Sequence, residues 1–463
     1  MDYWIDRMTH GAAPAKRKQR SFDSFAAPAK ALGVLLVSIG LLVGCTVGGS
    51  TDPGSQIAAN RIADEIADIR SSTSGAPEAL TAADIRLFSR IFDRIKQSYV
   101  TPVDNSQLLL AASDGIKQSY PDPTAATDQE LLVAAAQGML HSLDDYSVFL
   151  DRTDYRDWQE ITRGKFAGLG IRITKRDGDL KIISPIDGTP AMKAGLKAGD
   201  IITHADGVDL EPLTEREAVD LLRGPAGTAV TITIRRKEVE DFDVTITRAV
   251  VQVPSVISRL EGDVGYIRIT QFNKHTGAKV EEAIRNLLND TEGSVNAFVL
   301  DLRNNPGGLL DQSVVVADAF LKGGLVVSTK GRYVDQPFFA GGSDLTGDRP
   351  LLVLINHGSA SASEIVAGAL QDRKRAILLG EKSFGKGSVQ TIYPIDSGRG
   401  VKLTTARYFT PSGRTVDGGI APDITIADDE DTEADEPLQR AMSLAVELSG
   451  GPSVVWGAGT TKK

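Results

Sequence analysis

The spacing of apolar positions changes character several times along the chain. Ala31–Val43 is a 13-residue run, apolar but for Ser38, that follows the basic side chains Lys16, Arg17, Lys18, Arg20 and Lys30. It is shorter than the roughly 20 residues a spanning helix needs, and it fits the core of an export signal. Ile57, Ile62, Ile66 and Ile69 then recur at mixed three- to five-residue steps, which predicts a short amphipathic helix ending at the breaker Ser71–Gly75. From the N-cap candidate Thr81, the residues Ile85, Phe88, Ile91, Phe92 and Ile95 follow helical spacing, and Gln129–His141 predicts another helix. Beyond Phe166 the period shortens to two. Strands are predicted at 180–183, 200–205 and 230–235, with a helix at 218–222. A second mixed region predicts strands at 265–269, 297–302 and 351–355, a helix around 278–288 and another from Ser361. Alternating strands and helices imply an α/β layer structure. After Ala427 come an acidic linker, Asp428–Glu436, and a helix over Pro437–Leu448.

With 41% hydrophobic and 24% charged residues the chain is globular, and at 463 residues it is long enough for several cores. Lys and Arg total 51 against 61 Asp and Glu, a formal charge of −10, which argues against a protein that tracks nucleic-acid phosphates. The single cysteine, Cys45, excludes a disulfide framework and cysteine-rich metal centres. It stands at the end of Leu42-Val-Gly-Cys45, directly after the apolar run, where the sequence resembles a bacterial lipobox. That resemblance implies cleavage after residue 44 and a lipid on the Cys45 thiol. Residues 46–56, rich in Gly, Ser and Thr, then read as a flexible tether. The implied location is the bacterial cell envelope on the periplasmic side. Thr46 in place of aspartate slightly favours the outer membrane.

The run Phe166-Ala-Gly-Leu-Gly-Ile171 places two glycines beside a strand, where backbone N–H groups can turn toward a carboxylate and a strand edge is open to an added peptide. With Ala194-Gly-Leu-Lys-Ala-Gly-Asp200 and Asp206-Gly207 downstream, it resembles a PDZ domain of the circularly permuted bacterial type. The resemblance implies capture of C-terminal peptides at Gly168, Leu169, Gly170 and Ile171.

Three chemistries compete for the remaining motifs. Gly380-x-x-x-x-Gly-Lys386 has phosphate-loop spacing, but Gly387 replaces the required hydroxyl and the following Ser388–Ile395 is strand-like. Among five histidines only His357 lies near a serine-rich segment, in what reads as a turn, and no paired-histidine metal spacing exists. The third pattern joins Asn356-His-Gly-Ser-Ala-Ser-Ala-Ser-Glu-Ile365 to Lys386 and Gln390. A serine at a helix N-terminus would have free N–H groups for an oxyanion. Lys386 and Gln390, four apart in a strand-like segment, would share one face. Burial would favour the neutral lysine amine that can take a serine proton.

Asp301-Leu-Arg-Asn-Asn-Pro-Gly-Gly308, Gly358-Ser-Ala-Ser-Ala-Ser-Glu-Ile365, Gly380–Gln390 and Tyr408-Phe-Thr-Pro-Ser-Gly413, in that order, resemble the carboxy-terminal processing (tail-specific) proteases over roughly 81–427. The resemblance implies a multidomain α/β (α+β) protein, with a crotonase-like ββα-spiral core interrupted by the PDZ domain. It implies Ser361 as nucleophile, Lys386 as base and Gln390 as the residue orienting the lysine. The oxyanion hole would combine the N–H of Ala362 with that of Gly307 or Gly308, Gly307 being the first choice. No metal or cofactor is called for.

The expected organisation is a signal peptide 1–44, a lipidated tether and short helix 45–80, a helical region 81–160, a PDZ domain 161–250, a catalytic core 251–427 and an acidic linker with a C-terminal helix 428–463. Partners would be proteins or peptides with apolar C-termini, the membrane through the lipid, and an adaptor or activator protein. The apolar face on 81–100 suits a homodimer contact or a core contact equally. The competing reading is a non-catalytic PDZ-bearing binding or scaffold protein on a protease-like fold. A crotonase-type acyl-CoA enzyme is a distant third.

Overall fold

The computed structural model describes residues 52–71, 80–123, 126–176, 178–290, 294–333, 335–342, 344–427 and 435–450. The apolar leader and Cys45 lie outside these. The chain divides into two compact units, one holding 52–97 and 103–145, the other 98–102 and everything from Tyr146 onward.

The first unit is helical. Its helices are Pro53–Ser71, most of Ala82–Ser98, Asn105–Ser119 and Asp128–His141. The first begins at Pro53, inside the stretch that composition assigns to a tether. Pro53 suits a first helical turn, and Ser55 and Gln56 N–H groups donate back to the Asp52 carbonyl. Ile62 and Ile66 are buried, and Glu65 accepts a 2.6 Å hydrogen bond from Ser113, so this helix is packed into the unit. Asn105–Ser119 and Asp128–His141 cross at paired glycines. A Cβ on Gly115 would come within 2.7 Å of the Gly138 Cα, and one on Gly138 within 2.3 Å of the Ala111 carbonyl oxygen. Close backbone approach requires glycine at both places.

The second unit contains two folds in series. Residues 165–252 form an antiparallel module. Five strands, Ile171–Arg176, Asp179–Pro185, Ile201–Ala205, Ala229–Arg235 and Phe242–Thr247, follow one another across a sheet, with the short Val208–Asp209 on its side. Strands Lys165–Gly168 and Ala249–Gln252 pair at its neck, where the chain enters and leaves. Helix Glu215–Leu222 starts at a Thr214–Glu217 capping box. The module has its own core, built around Leu169, Leu180, Ile182, Ile202, Ile232 and Ile234.

Around this insertion runs the α/β core. Val256–Glu261 pairs antiparallel with Val264–Ile269, after which Ala297–Asp301, Leu351–Ile355, Ile377–Gly380 and Ile424–Thr425 join in parallel order. Every residue of Ala297–Asp301 and Leu351–Ile355 is buried, as expected of parallel strands covered on both faces. One face packs on helices Thr276–Asp290, Leu310–Asp318 and Ala362–Asp372. Helix Glu436–Leu448 covers the other, setting Ala441, Met442, Ala445 and Val446 against Val264, Tyr266, Val299, Leu352 and Leu354. Asp435 caps that helix and meets Arg303 with bonds of 2.7 and 2.8 Å. Arg303 also pairs with the buried Asp301.

A second sheet carries strands Val148–Leu150, Gly324–Gly331, Asp335–Ala340, Ser388–Pro394 and Gly400–Phe409. Val148–Leu150 corrects the reading of 81–160 as one helical region. It pairs with Gly400–Lys402, and helix Arg152–Arg163 follows it into the neck of the antiparallel module. Three residues carry too little periodicity to announce a strand.

Candidate active site

The parallel strands of the core deliver two loops side by side. After Asp301 the chain turns through Arg303–Gly308, and after Ile355 it turns through Asn356–Ser361 into helix Ala362–Asp372. Asparagines and serines lock the two together. Asn356 accepts from the Asn304 N–H at 2.8 Å and donates to the Asn304 side chain at 2.8 Å, while Ser359 Oγ donates to the Leu302 carbonyl at 2.9 Å. Asn305, fully buried, accepts from Ala360 N and Ser363 Oγ through its carbonyl and donates to the Ile269 carbonyl at 2.8 Å.

Ser361 is the N-cap residue of its helix, with φ 55° and ψ −112°, a conformation side chains rarely adopt. The strain is held by its neighbours. Its N–H donates to Glu364 Oε2 at 2.7 Å. Glu364, 0% exposed, also accepts from Ser383 Oγ at 2.6 Å, Gly385 N at 2.7 Å and Lys386 N at 2.9 Å. One carboxylate therefore ties the serine elbow to the lysine loop. Burial pushes its pKa above the ordinary carboxylate value, against the pull of those four donors.

Gly307 and Gly308 face this elbow at φ 98° and 139°. A Cβ on Gly307 would lie 2.9 Å from both the Ala362 nitrogen and Ser361 Cβ, and one on Gly308 would strike the Phe272 carbonyl at 2.1 Å. Their N–H groups differ. Gly307 N donates to Asn305 Oδ1 at 2.9 Å, whereas Gly308 N and Ala362 N make no hydrogen bond among the described residues.

Lys386 is 9% exposed, and its Nζ lies 4.6 Å from the centre of the Tyr146 ring. It precedes strand Ser388–Pro394 rather than lying in it, and the register shifts between Val389 and Gln390. The period-of-two argument for Lys386 and Gln390 therefore does not apply. Gly385, at φ 97°, and the bulge replace regular pleating, yet both side chains line the same cleft. Gln390 Nε2 donates to Ser388 Oγ at 3.0 Å and Thr404 Oγ1 at 2.8 Å, leaving its buried Oε1 without a partner among the described residues. The side chain of His357 is 74% exposed, on the turn where the sequence places it.

Three residues here escaped prediction although motifs quoted above contain two of them. Glu364 reads as a capping-box acid, Tyr408 as an ordinary strand tyrosine, and Tyr146 carries no local signal. Tyr408 is buried, its N–H donates to the Gly387 carbonyl at 3.0 Å, and its hydroxyl makes no well-formed hydrogen bond among the described residues. Burial and the nearby Glu364 hold its pKa well above the ordinary value.

One cleft of about 440 Å³ runs from Gly168–Ile173 of the antiparallel module past Trp158 and Arg223 to Gly307, Gly308, Ser361, Lys386 and Gln390. Gly170, at φ 82°, turns the Gly168–Ile171 loop, with its carbonyl held by Ile186 N and Thr189 Oγ1. Leu169 is rooted in the module's core.

The sequence pattern of peptidase family S41 matches residues 263–426, and that of the PDZ domain matches 181–236. The carboxy-terminal-processing protease of Bartonella bacilliformis is 45% identical over 354 residues, 75% of this chain and 76% of that protein. The chain belongs to peptidase family S41, among the carboxy-terminal processing proteases. The carboxyl-terminal-processing protease of Synechocystis is 34% identical over 383 residues, 76% of this chain and 88% of that one. Among solved structures, the photosystem II D1 C-terminal processing protease is 28% identical, covering 78% of this chain and 94% of its own, with a TM-score of 0.47.

An S41 peptidase is a serine peptidase, so the α/β core is its protease and the antiparallel module its PDZ domain. The S41 match contains every candidate residue from Gly307 to Gln390, whereas the PDZ match begins after Ile171. No helix among the described residues is long and apolar enough to cross a membrane.

Proposed function

We propose that this S41 peptidase cleaves unstructured protein C-termini with a Ser361–Lys386 dyad, the free end of the substrate lying at the Gly168–Ile171 loop. The observation that carries this is the continuity of the cleft between that loop and the two side chains. A chain end held at the loop in extended form would then pass directly over Ser361. In the acylation step Ser361 Oγ attacks the scissile carbonyl carbon and its proton passes to Lys386 Nζ. The C–N bond then breaks, and Lys386 returns the proton to the departing amine. Water repeats the sequence on the acyl-enzyme. Gln390 Oε1, a buried acceptor that bonds nothing among the described residues, is the group assigned to orient the lysine.

For the oxyanion the hydrogen bonding favours Gly308 over Gly307. The Gly307 N–H is already committed to Asn305, while those of Gly308 and Ala362 are open. We further assign the chain to the cell envelope, held by a lipid on Cys45. Incorporation of a palmitate analogue in cells, lost in Cys45→Ala, tests that assignment.

The activity test is hydrolysis of an unfolded protein ending in apolar residues by the chain from residue 46, beside Ser361→Ala and Lys386→Ala. Cleavage by the parent alone is the expected result. Cleavage by either variant would remove that residue from the chemistry.

A further inference from the structure

The chemistry above leaves one buried group of the site unused. Tyr408 sits on strand Gly400–Phe409, fixed by its N–H to the Gly387 carbonyl, one residue beyond Lys386. Its ring is almost wholly buried, its hydroxyl is shut off from solvent, and Tyr408 and Ser361 line the same cleft. Among the described residues the hydroxyl completes no well-formed hydrogen bond, and Ser361 is the side chain within its hydrogen-bonding reach. A buried O–H without a partner costs about 1–3 kcal/mol, and such groups in folded proteins need an explanation.

We propose that the Tyr408 hydroxyl is a hydrogen-bond donor to the Ser361 oxygen during acylation, a proposal that rests on Ser361 being the nucleophile. As Ser361 Oγ gives its proton to Lys386 Nζ and bonds to the carbonyl carbon, negative charge builds on Oγ and then on the former carbonyl oxygen. Gly308 and Ala362 N–H groups serve the second atom; Tyr408 serves the first. The phenol keeps its own proton throughout, so no additional transfer is required. Its position favours this role. The carboxylate of Glu364 nearby disfavours phenolate, leaving Tyr408 a donor rather than a competing base.

The test is Tyr408→Phe, which removes one oxygen and keeps the ring in place. Peptide hydrolysis is measured together with the rate of covalent labelling by a fluorophosphonate, a probe that reports attack by the serine without needing an amine leaving group. The expected outcome is a fall of about 30-fold in kcat and in the labelling rate, KM unchanged, and a melting temperature equal to or above the parent's because an unsatisfied polar group has gone. Labelling at the parental rate would overturn the proposal. So would a melting temperature lowered by several degrees, since the hydroxyl would then be a structural group. Ser361→Ala in the same assay separates the two levels. If it is still labelled, the nucleophile assignment itself fails; if it is silent while Tyr408→Phe labels normally, only the role of Tyr408 falls.

Discussion

The two halves of the site are held in opposite ways. On the serine side, Asn305, Asn356, Ser359, Ser363 and Glu364 satisfy one another and the surrounding backbone, so the strained φ of Ser361 is enforced from several directions at once. On the lysine side, Gln390 keeps an open buried acceptor, a bulge interrupts the strand, and the lysine head lies over an aromatic face. The proposed nucleophile and the proposed oxyanion donors are thus set by the fold before substrate arrives. The proton-handling half retains polar capacity that the folded chain does not use up. A network in which every partner is satisfied is rigid, and one with a spare acceptor can adjust as charge moves.

That contrast predicts a graded response to mutation. Ser361→Ala should lower kcat by about 10⁴-fold or more with the fold intact, measured by peptide hydrolysis beside a circular dichroism melt. Glu364→Ala should remove activity and stability together. It strands the Ser361, Gly385 and Lys386 N–H groups and the Ser383 hydroxyl, at about 3–5 kcal/mol for a buried charge network, read from chemical denaturation. Gln390→Leu should cost about tenfold in kcat and lower the melting temperature less than Glu364→Ala does, because only the two Nε2 bonds to Ser388 and Thr404 are lost. If Gln390→Leu instead unfolds the protein, the distinction between the two halves is lost.

The smallest effect belongs to the PDZ module. Burial raises the Asp200 pKa, but bonds from Arg236 and the Lys197 N–H outweigh it and leave the carboxyl below its ordinary value. A depressed folded pKa contributes stability that is complete above the unfolded value of about 3.9 and fades as pH falls through the folded one. Melts of the parent should therefore decline more steeply below about pH 4 than those of Asp200→Asn.

Much of this was legible beforehand, for reasons that differ by element. Leu351–Ile355 and the helix after Ser361 announce themselves because a buried parallel strand is continuously apolar and a helix start needs a capping serine. The glycine turn at 307–308 was reached through the family resemblance of Asp301–Gly308, and the structure adds why only glycine fits against Ser361 and Phe272. The choice between the two glycines was not legible, since it depends on the side chain of Asn305 reaching two residues forward. Lys386 and Gln390 were placed together for a reason that fails. Periodicity cannot foresee a bulge, and the pair converges through loop and strand instead. Glu364 and Tyr146 act through contacts made 22 and 240 residues away, which no local pattern encodes. Helix Pro53–Ser71 was partly hidden by its Gly- and Ser-containing first turn.

The Arg303–Asp435 ion pair carries a consequence for the order in which this protein comes into being. The strand that ends in Asp301 leads into the glycine turn, yet its apolar underside is covered, and its arginine neutralised, by residues 435–446 at the far end of the chain. A growing polypeptide that has already emerged through Tyr408 holds every residue proposed for the active site and still lacks the roof of its central sheet. Synthesis and competence are thereby separated in time: the central sheet is completed only by helix Glu436–Leu448. A chain ended at residue 427 should bind a hydrophobic dye and hydrolyse nothing, and restoring residues 435–448 should reverse both.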